Sequence, residues 1–469
     1  RHLQGLPVVA RKDTLAYRTR KFVGRHKVAV PLAAAALLLI VGFSITATLL
    51  WQRAERARER SQAVVTFLVD LSSAPDPKLS HGVDITAREL LDRGVKKMDQ
   101  SFTGQPELRA DLMSTMGTVY LNLGSWDRAK QLFETALDLH RKTLGKNDPR
   151  IANDLHNLAS TLRYLGKDSA AEPLVYEALQ LQRQRGDTRN IEYARGLTNL
   201  AAILDAKGDF DQAERLYKEG LVIKRTLPNV DRDIAISLNN LGKLAQTRGD
   251  FPTAGKYYRE SLAIRSKLAG GQPDPDVAIA LNNLASLLQD QGNLADAEID
   301  YRESLALRRK LYPGPNSKVA GSLSNLGNLL QARGDFAGAE SCFREALSIA
   351  DQTLPPDHPS RGVFLRNLAS VLPSEGKAAE AEPLAREALA IFRAKPQTPW
   401  RIPDTESVLG GCLTALGRYQ EAEPLLLGSY PILLKDKGDG AKHAAEARQR
   451  IIDLYTAWGK PERLAAYRT

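Results

Sequence analysis

Apolar residues recur along most of this chain at helical spacing, and the pattern itself repeats. One stretch shows the unit. Leu155, Leu158, Leu162 and Leu165 share a helix face, Gly166 follows, and Leu174, Ala178 and Leu181 begin a second apolar stripe. Glycine returns at the same place at Gly124, Gly166, Gly208, Gly249, Gly292, Gly334, Gly376 and Gly417, at intervals of 42, 42, 41, 43, 42, 42 and 41 residues. Ahead of most of these glycines stands Asn-Leu-(Ala/Gly), headed by Asn157, Asn199, Asn240, Asn283, Asn325 and Asn367, and Ala-Glu usually comes after. Each unit therefore predicts a helix, a tight turn and a second helix. The small residue after Asn-Leu lets the helices approach, and the glycine supplies the positive φ that ends the first one. Asp148-Pro149 and Asp274-Pro275 read as an N-cap followed by proline in the first helical turn. A single pair cannot bury its own apolar faces, so eight units over residues 106–427 predict an all-α solenoid with a continuous core. Pro396, Pro399 and Pro403 distort the start of the eighth unit, which lacks the Asn; Leu454-Tyr455 and Trp458-Gly459 return in register, making 428–469 a degenerate ninth repeat and cap.

A different pattern precedes the repeats. Residues 28–50 are 23 positions without a charge, including Leu37-Leu38-Leu39-Ile40-Val41, and Trp51 closes them at an expected interface. The run exceeds the apolar core of a signal peptide, about 7–15 residues, and predicts a transmembrane helix followed by a helical stalk over 51–105. The formal net charge of +10 is concentrated beside this run: residues 1–27 hold eight Lys/Arg against Asp13 alone. That basic segment reads as cytoplasmic and juxtamembrane. It also argues against a nucleic-acid partner, which would need its cations on the folded surface. Over flanks of 20 residues the count is seven Lys/Arg before the span and four after, which puts the N-terminus inside and the repeats in the extracytoplasmic or periplasmic space of a single-pass inner-membrane protein. The chain opens at Arg1, not Met, and its first residues read as the interior of a longer protein.

Candidate chemistry is sparse. Cys342 and Cys412 lie in different repeats, so no disulfide is expected between them. Neither cysteine nor any histidine falls in a metal-binding spacing, so no metal or cofactor is expected. The Ala-Glu carboxylates Glu172, Glu214, Glu298, Glu340, Glu382 and Glu423 lie one repeat apart, too far for paired acid/base work. Four have a basic residue at i+4: Lys218, Arg302, Arg344 and Arg386. Gly-Asp-Phe at Gly208, Gly249 and Gly334 falls in a helix–helix turn; no Gly-rich phosphate loop or His-Arg-Asp loop accompanies it, and no catalytic residue is expected.

The eight units resemble the tetratricopeptide repeat in its 42-residue, kinesin-light-chain-like form. That resemblance implies a right-handed superhelix whose first helices line a concave groove receiving proteins or extended peptides. The ends carry a second resemblance. Arg1-His2-Leu3-Gln4-Gly5-Leu6-Pro7-Val8 with Arg11, Asp13-Thr14, Tyr17-Arg18 and Lys21-Phe22 is similar to the juxtamembrane segment of bacterial eukaryotic-type serine/threonine protein kinases that carry C-terminal tetratricopeptide repeats. Phe67-Leu68-Val69-Asp70-Leu71, Ile85-Thr86-Ala87-Arg88-Glu89-Leu90-Leu91-Asp92-Arg93-Gly94 and Ala457-Trp458-Gly459-Lys460-Pro461-Glu462 extend it. It implies a cytoplasmic kinase domain ahead of Arg1 and a role for this chain in partner binding and signal transduction, with a homodimer as the means of coupling across one span. A membrane-anchored scaffold without a kinase fits the repeats equally.

The register implied by the resemblance puts the Asn column on the groove, with Arg195, Lys243, Asn328, Ser160, Ser286 and Ser370 as neighbours. An amide ladder offers donors and acceptors to an extended peptide backbone, and only two of those neighbours are charged, which points to a largely neutral ligand. The alternative is that each Asn ties its helix to the adjacent repeat.

Overall fold

The computed structural model describes residues 14–26, 32, 38–48, 50, 51, 55, 87–102, 104–396, 398–436 and 439–467. Every regular element among them is a helix. The chain divides into two compact units, residues 1–146 and 147–469.

In the first unit, α1 (Leu15–Arg25), α2 (38–48) and α3 (Ala87–Ser101) precede a helix pair, α4 (Pro106–Asn122) and α5 (Trp126–Thr143). Gly117 of α4 faces the Phe133 ring of α5; a Cβ there would come within 2.8 Å of it. The Tyr120 hydroxyl donates to Asp92 at 2.6 Å, joining α4 to α3. The transmembrane helix expected over 28–50 differs from what is described. Residues 38–48 are helical with Leu38, Leu39, Ile40, Phe43 and Ile45 exposed, while ten positions of the run lie outside the described residues. Among the described residues no helix is long and apolar enough to cross a membrane. Most of the expected stalk, up to residue 86, also lies outside them.

The second unit stacks seven helix pairs: α6 (Pro149–Tyr164) with α7 (Asp168–Gln184), α8 (Ile191–Ala206) with α9 (Phe210–Arg225), α10 (Asp231–Thr247) with α11 (Phe251–Ala269), α12 (Pro275–Asp290) with α13 (Leu294–Leu311), α14 (Ser317–Ala332) with α15 (Phe336–Thr353), α16 (Pro359–Val371) with α17 (Ala378–Ala394), and α18 (Arg401–Ala415) with α19 (Tyr419–Lys435). Each second helix packs on the next first helix, so the pairs form an all-α solenoid. Helix α20 (Asp439–Ala457) packs against α18 and α19, and the short α21 (Pro461–Leu464) folds onto α20.

Local chemistry explains these boundaries. The eight turn glycines have φ between +70° and +83°, the left-handed region where a side chain is strained. Asp148 accepts from Arg150 N–H, and Asp274 from Asp276 and Val277 N–H, each just before a first-turn proline. The Asp residues of Gly-Asp-Phe do the same for second helices, with Asp209, Asp250 and Asp335 accepting from Gln212, Thr253 and Gly338 N–H. Helix α18 starts at Arg401 without a side-chain cap and takes buried Pro403 into its first turn, where a missing N–H costs little. Small residues after Asn-Leu sit where helices touch: Gly242 faces Tyr258 and Gly327 faces Phe343, a Cβ at the latter reaching 2.5 Å from the ring. Leu323, Leu326, Phe343, Leu368, Leu409 and Leu426 belong to one buried cluster that runs on to Ile451 and Leu464.

Candidate functional site: the Asn column and the C-terminal cavity

Helical spacing and the repeat period bring the Asn residues to equivalent places on successive first helices. Four of the six side chains reach back to the preceding repeat. Asn199 Nδ2 donates to Ser160 Oγ at 2.9 Å, Asn283 Nδ2 to Asn239 Oδ1 at 2.6 Å, Asn325 Nδ2 to Asn282 Oδ1 at 2.8 Å, and Asn367 Nδ2 to Ser324 Oγ at 2.9 Å. Each bond spends one N–H of an amide that has two, along with carbonyl lone pairs. The bond therefore aims the amide without exhausting it. No side-chain hydrogen bond is recorded for Asn157 or Asn240 among the described residues.

The neighbours divide in the same way. Arg195 is held by Asp233 of the following repeat through two bonds of 2.8 and 3.0 Å, which raise its pKa further, while Lys243 is exposed. Ser286 accepts from Gln246 at 3.3 Å, and Ser370 donates to the Asn367 carbonyl of its own helix at 2.7 Å, with Gln331 Oε1 3.3 Å away.

Asn325, Asn328 and Asn367, with Ser286 and Ser370, line a cavity of about 1300 Å³ that runs from α12 to α20. Asn157, Asn199, Asn240, Asn283, Arg195 and Lys243 are not among its lining residues. At its C-terminal end the neutral ladder gives way to charge. Arg366 donates to Asn367 Oδ1 at 3.2 Å and to Asp404 at 2.6 Å, while Arg450 donates to Glu446 at 3.0 Å and Ser407 at 3.1 Å. His443 lies 3.6 Å from Asp404 and stacks on Trp400 with ring centroids 4.9 Å apart. Burial pushes the Glu446 carboxyl up, but the His443 hydrogen bond and the charges of Arg366 and Arg450 outweigh it and hold the group below the usual carboxylate range. Cys412 also lines this wall, and burial pushes its thiol up to about 12, which removes it as a nucleophile near neutral pH.

Sequence reasoning missed this cluster. The signal was the spacing of His443, Glu446, Arg450 and Asp453 at three and four residues, one polar face of α20, obscured because the repeat around it is degenerate.

The sequence matches the tetratricopeptide-repeat family over residues 108–184, 233–312 and 318–394, and a second description of the same repeat over 197–230. The chain is a tetratricopeptide-repeat protein. No curated protein matches it. Among solved structures, the repeats are similar to BtubC (BKLC) from P. vanneervenii at 26% identity, covering 48% of this chain and 90% of that one with a TM-score of 0.42. They also match a putative kinesin light chain from Podospora anserina with nearly identical repeats, at 23% identity, 45% and 98% coverage and a TM-score of 0.37. A Rap protein, solved in complex with competence and sporulation factor, matches at 14% identity over 76% of this chain and 99% of its own, with a TM-score of 0.50; at that identity it shares the fold alone.

Proposed function

We propose that this chain is the partner-binding and sensing part of a membrane-anchored bacterial receptor of the serine/threonine-kinase type, taking a protein or extended peptide into the groove of its repeats. The observation that carries the binding reading is the Asn column with unspent amide groups leading into a 1300 Å³ cavity built from consecutive repeats. Membrane anchoring rests on the 23 uncharged residues of 28–50 and the exposed apolar side chains of 38–45; kinase parentage rests on the resemblance of the segments flanking the span. A solenoid outside the cytoplasm can act on a cytoplasmic kinase only through the single helix, so the coupling step is the pairing of two chains. In intact spheroplasts, added protease is expected to digest the repeats; full protection would overturn the topology. Autophosphorylation of the complete receptor is expected to differ from that of a version cut after Arg60, and forced dimerisation of the cut version should abolish the difference. Equal activity in every form would remove the sensing role.

A further inference from the structure

The fifth repeat breaks the apolar rule of its own register. Eight residues after the turn glycine, the second helices of the repeats carry leucine in five cases, from Leu132 to Leu425, with Tyr257 and Cys342 in two more; α13 carries Asp300. The register belongs to the core side of the helix: Leu132 is buried, and Cys342, Leu384 and Leu425 pack against the main buried cluster. Asp300 is itself half-buried, and no hydrogen bond or ion pair of its side chain is recorded among the described residues.

The charges around it do not relieve it. On α13 its neighbours one turn to either side are Asp296 and Glu303, both negative. The arginines of the helix are engaged elsewhere, Arg302 with Glu298, Arg308 with the Lys318 carbonyl and Arg309 with Glu345. The helices packed against α13 are α12 and α14. The charged side chains of α12 are Asp276 and Asp290, again carboxylates, and the charge of Asp290 reaches the Tyr301 hydroxyl. The single charged residue of α14 is Lys318, beside Arg308 toward the far end of α13. On α11, the preceding second helix, Arg259 is folded back over Gly255. Burial, reinforced by Glu303 and Asp296, pushes the Asp300 carboxyl up to about 6. Its chain neighbour Tyr301 is buried, donates to Gln289 at 3.2 Å and lines the cavity together with Leu294 and Ser286.

We propose that Asp300 is a proton-operated joint in the solenoid. While the carboxylate is ionised, α13 opens from the core more readily; proton uptake holds it closed and fixes the cavity wall that Tyr301 carries, so the groove binds its partner more tightly as the surroundings acidify. The inference rests on the groove being the partner-binding face. An unfolded aspartate titrates near 3.9, so the closed repeat binds the proton more tightly than the opened one. Protection is therefore flat above about pH 7, gained as pH falls through about 6, and complete below about 4.

Hydrogen exchange in α13 of the full chain, compared at each pH with Asp300→Asn, should show the protection of the parent rising about tenfold relative to the variant between pH 7.5 and pH 5. Asp300→Leu, which restores the leucine of the register, should protect α13 at both pH values. A parent-to-variant ratio that stays constant overturns the joint. The groove is read with N-acetylated, C-terminally amidated random decapeptides free of Asp, Glu and His, which have no titration of their own in this range. Their retention on the immobilised full chain should rise from pH 7.5 to pH 5 more for the parent than for Asp300→Leu. An exchange effect without that difference overturns the coupling to the groove. If neither protein retains peptide at either pH the groove reading falls, and the exchange ratio still decides the joint.

Discussion

At the scale of single residues, the least expected group is Lys224. It is 1% exposed in the second helix of its repeat, and its ammonium donates to Thr198 Oγ1 at 3.0 Å and Ser237 Oγ at 2.7 Å, with the Arg195–Asp233 ion pair nearby. Gln182, Arg265 and Arg308 hold the equivalent position in adjacent repeats, so a polar side chain is built into this seam, but in Lys224 hydroxyls alone bond the charge directly. Burial lowers its pKa to about 8, with the Asp233 charge opposing and Arg195 reinforcing the shift. An unfolded lysine titrates near 10.4. Between those values the unfolded chain binds a proton that the folded chain does not, so stability climbs as pH rises through this window and is flat below it. The full difference is on the order of 3 kcal/mol. Replacing Lys224 with Met removes the titration, so the gap in thermal midpoint between variant and parent should shift in the parent's favour from pH 8 to pH 10. A constant gap would mean that the buried ammonium keeps an ordinary affinity for its proton.

Between elements, the Ala-Glu carboxylates do more than support their own helices. The four i,i+4 pairs expected from the sequence form, with Lys218–Glu214 at 2.6 Å, Arg302–Glu298 at 2.8 Å, Arg344–Glu340 at 2.8 Å and Arg386–Glu382 at 2.7 Å. Each of these glutamates also reaches a basic residue beside the turn glycine of the next repeat, at Arg248, Arg333, Lys377 and Arg418. Glu172 pairs likewise with Lys207, and Glu423 with Arg463. A cation there also meets the carbonyl end of a first helix. This second partner was present in the sequence but unreadable as a contact, because nothing local says which residue 34 to 40 positions away faces a given carboxylate. The helix pairs were legible because their signals are local: a periodic stripe, a glycine, an Asp-Pro cap. One junction lacks both members of the ladder, with Gly255 in place of Glu and Gln291 in place of the cation. Gly255→Glu combined with Gln291→Arg should add a coupling energy of about 0.5 kcal/mol at low salt, read from a double-mutant cycle of urea midpoints and reduced at high salt. The single Gly255→Glu change should itself gain up to about 1 kcal/mol of helix propensity, provided by a backbone that loses its glycine, once the flexible Arg259 tip, 3.2 Å from the added Cβ, has moved aside. Zero coupling at low salt would show that the inter-repeat pairs contribute nothing to stacking.

For the molecule as a whole, the question is whether the Asn column serves the stack or the ligand. The sequence established its existence, since six Asn residues in one register are visible without a structure. It could not say what the amides touch, because their partners Ser160, Asn239, Asn282 and Ser324 belong to the preceding repeat and share no local signal with them. Nor could it locate the charged end of the groove, which needs α16, α18 and α20 brought together. The two roles can now be separated with single substitutions. Asn283→Ala breaks the bond to Asn239 and leaves a half-buried carbonyl oxygen short of a donor, at a cost of about 1 kcal/mol. At Asn240 no side-chain bond is recorded, so Asn240→Ala should leave the melting temperature almost unchanged. If the column reads peptide backbone, both variants should retain fewer decapeptides, and Asn240→Ala should do so at full stability. Unimpaired retention by Asn240→Ala, with a lowered midpoint only for Asn283→Ala, would assign the column to repeat stacking and leave the ligand to the cavity beyond it.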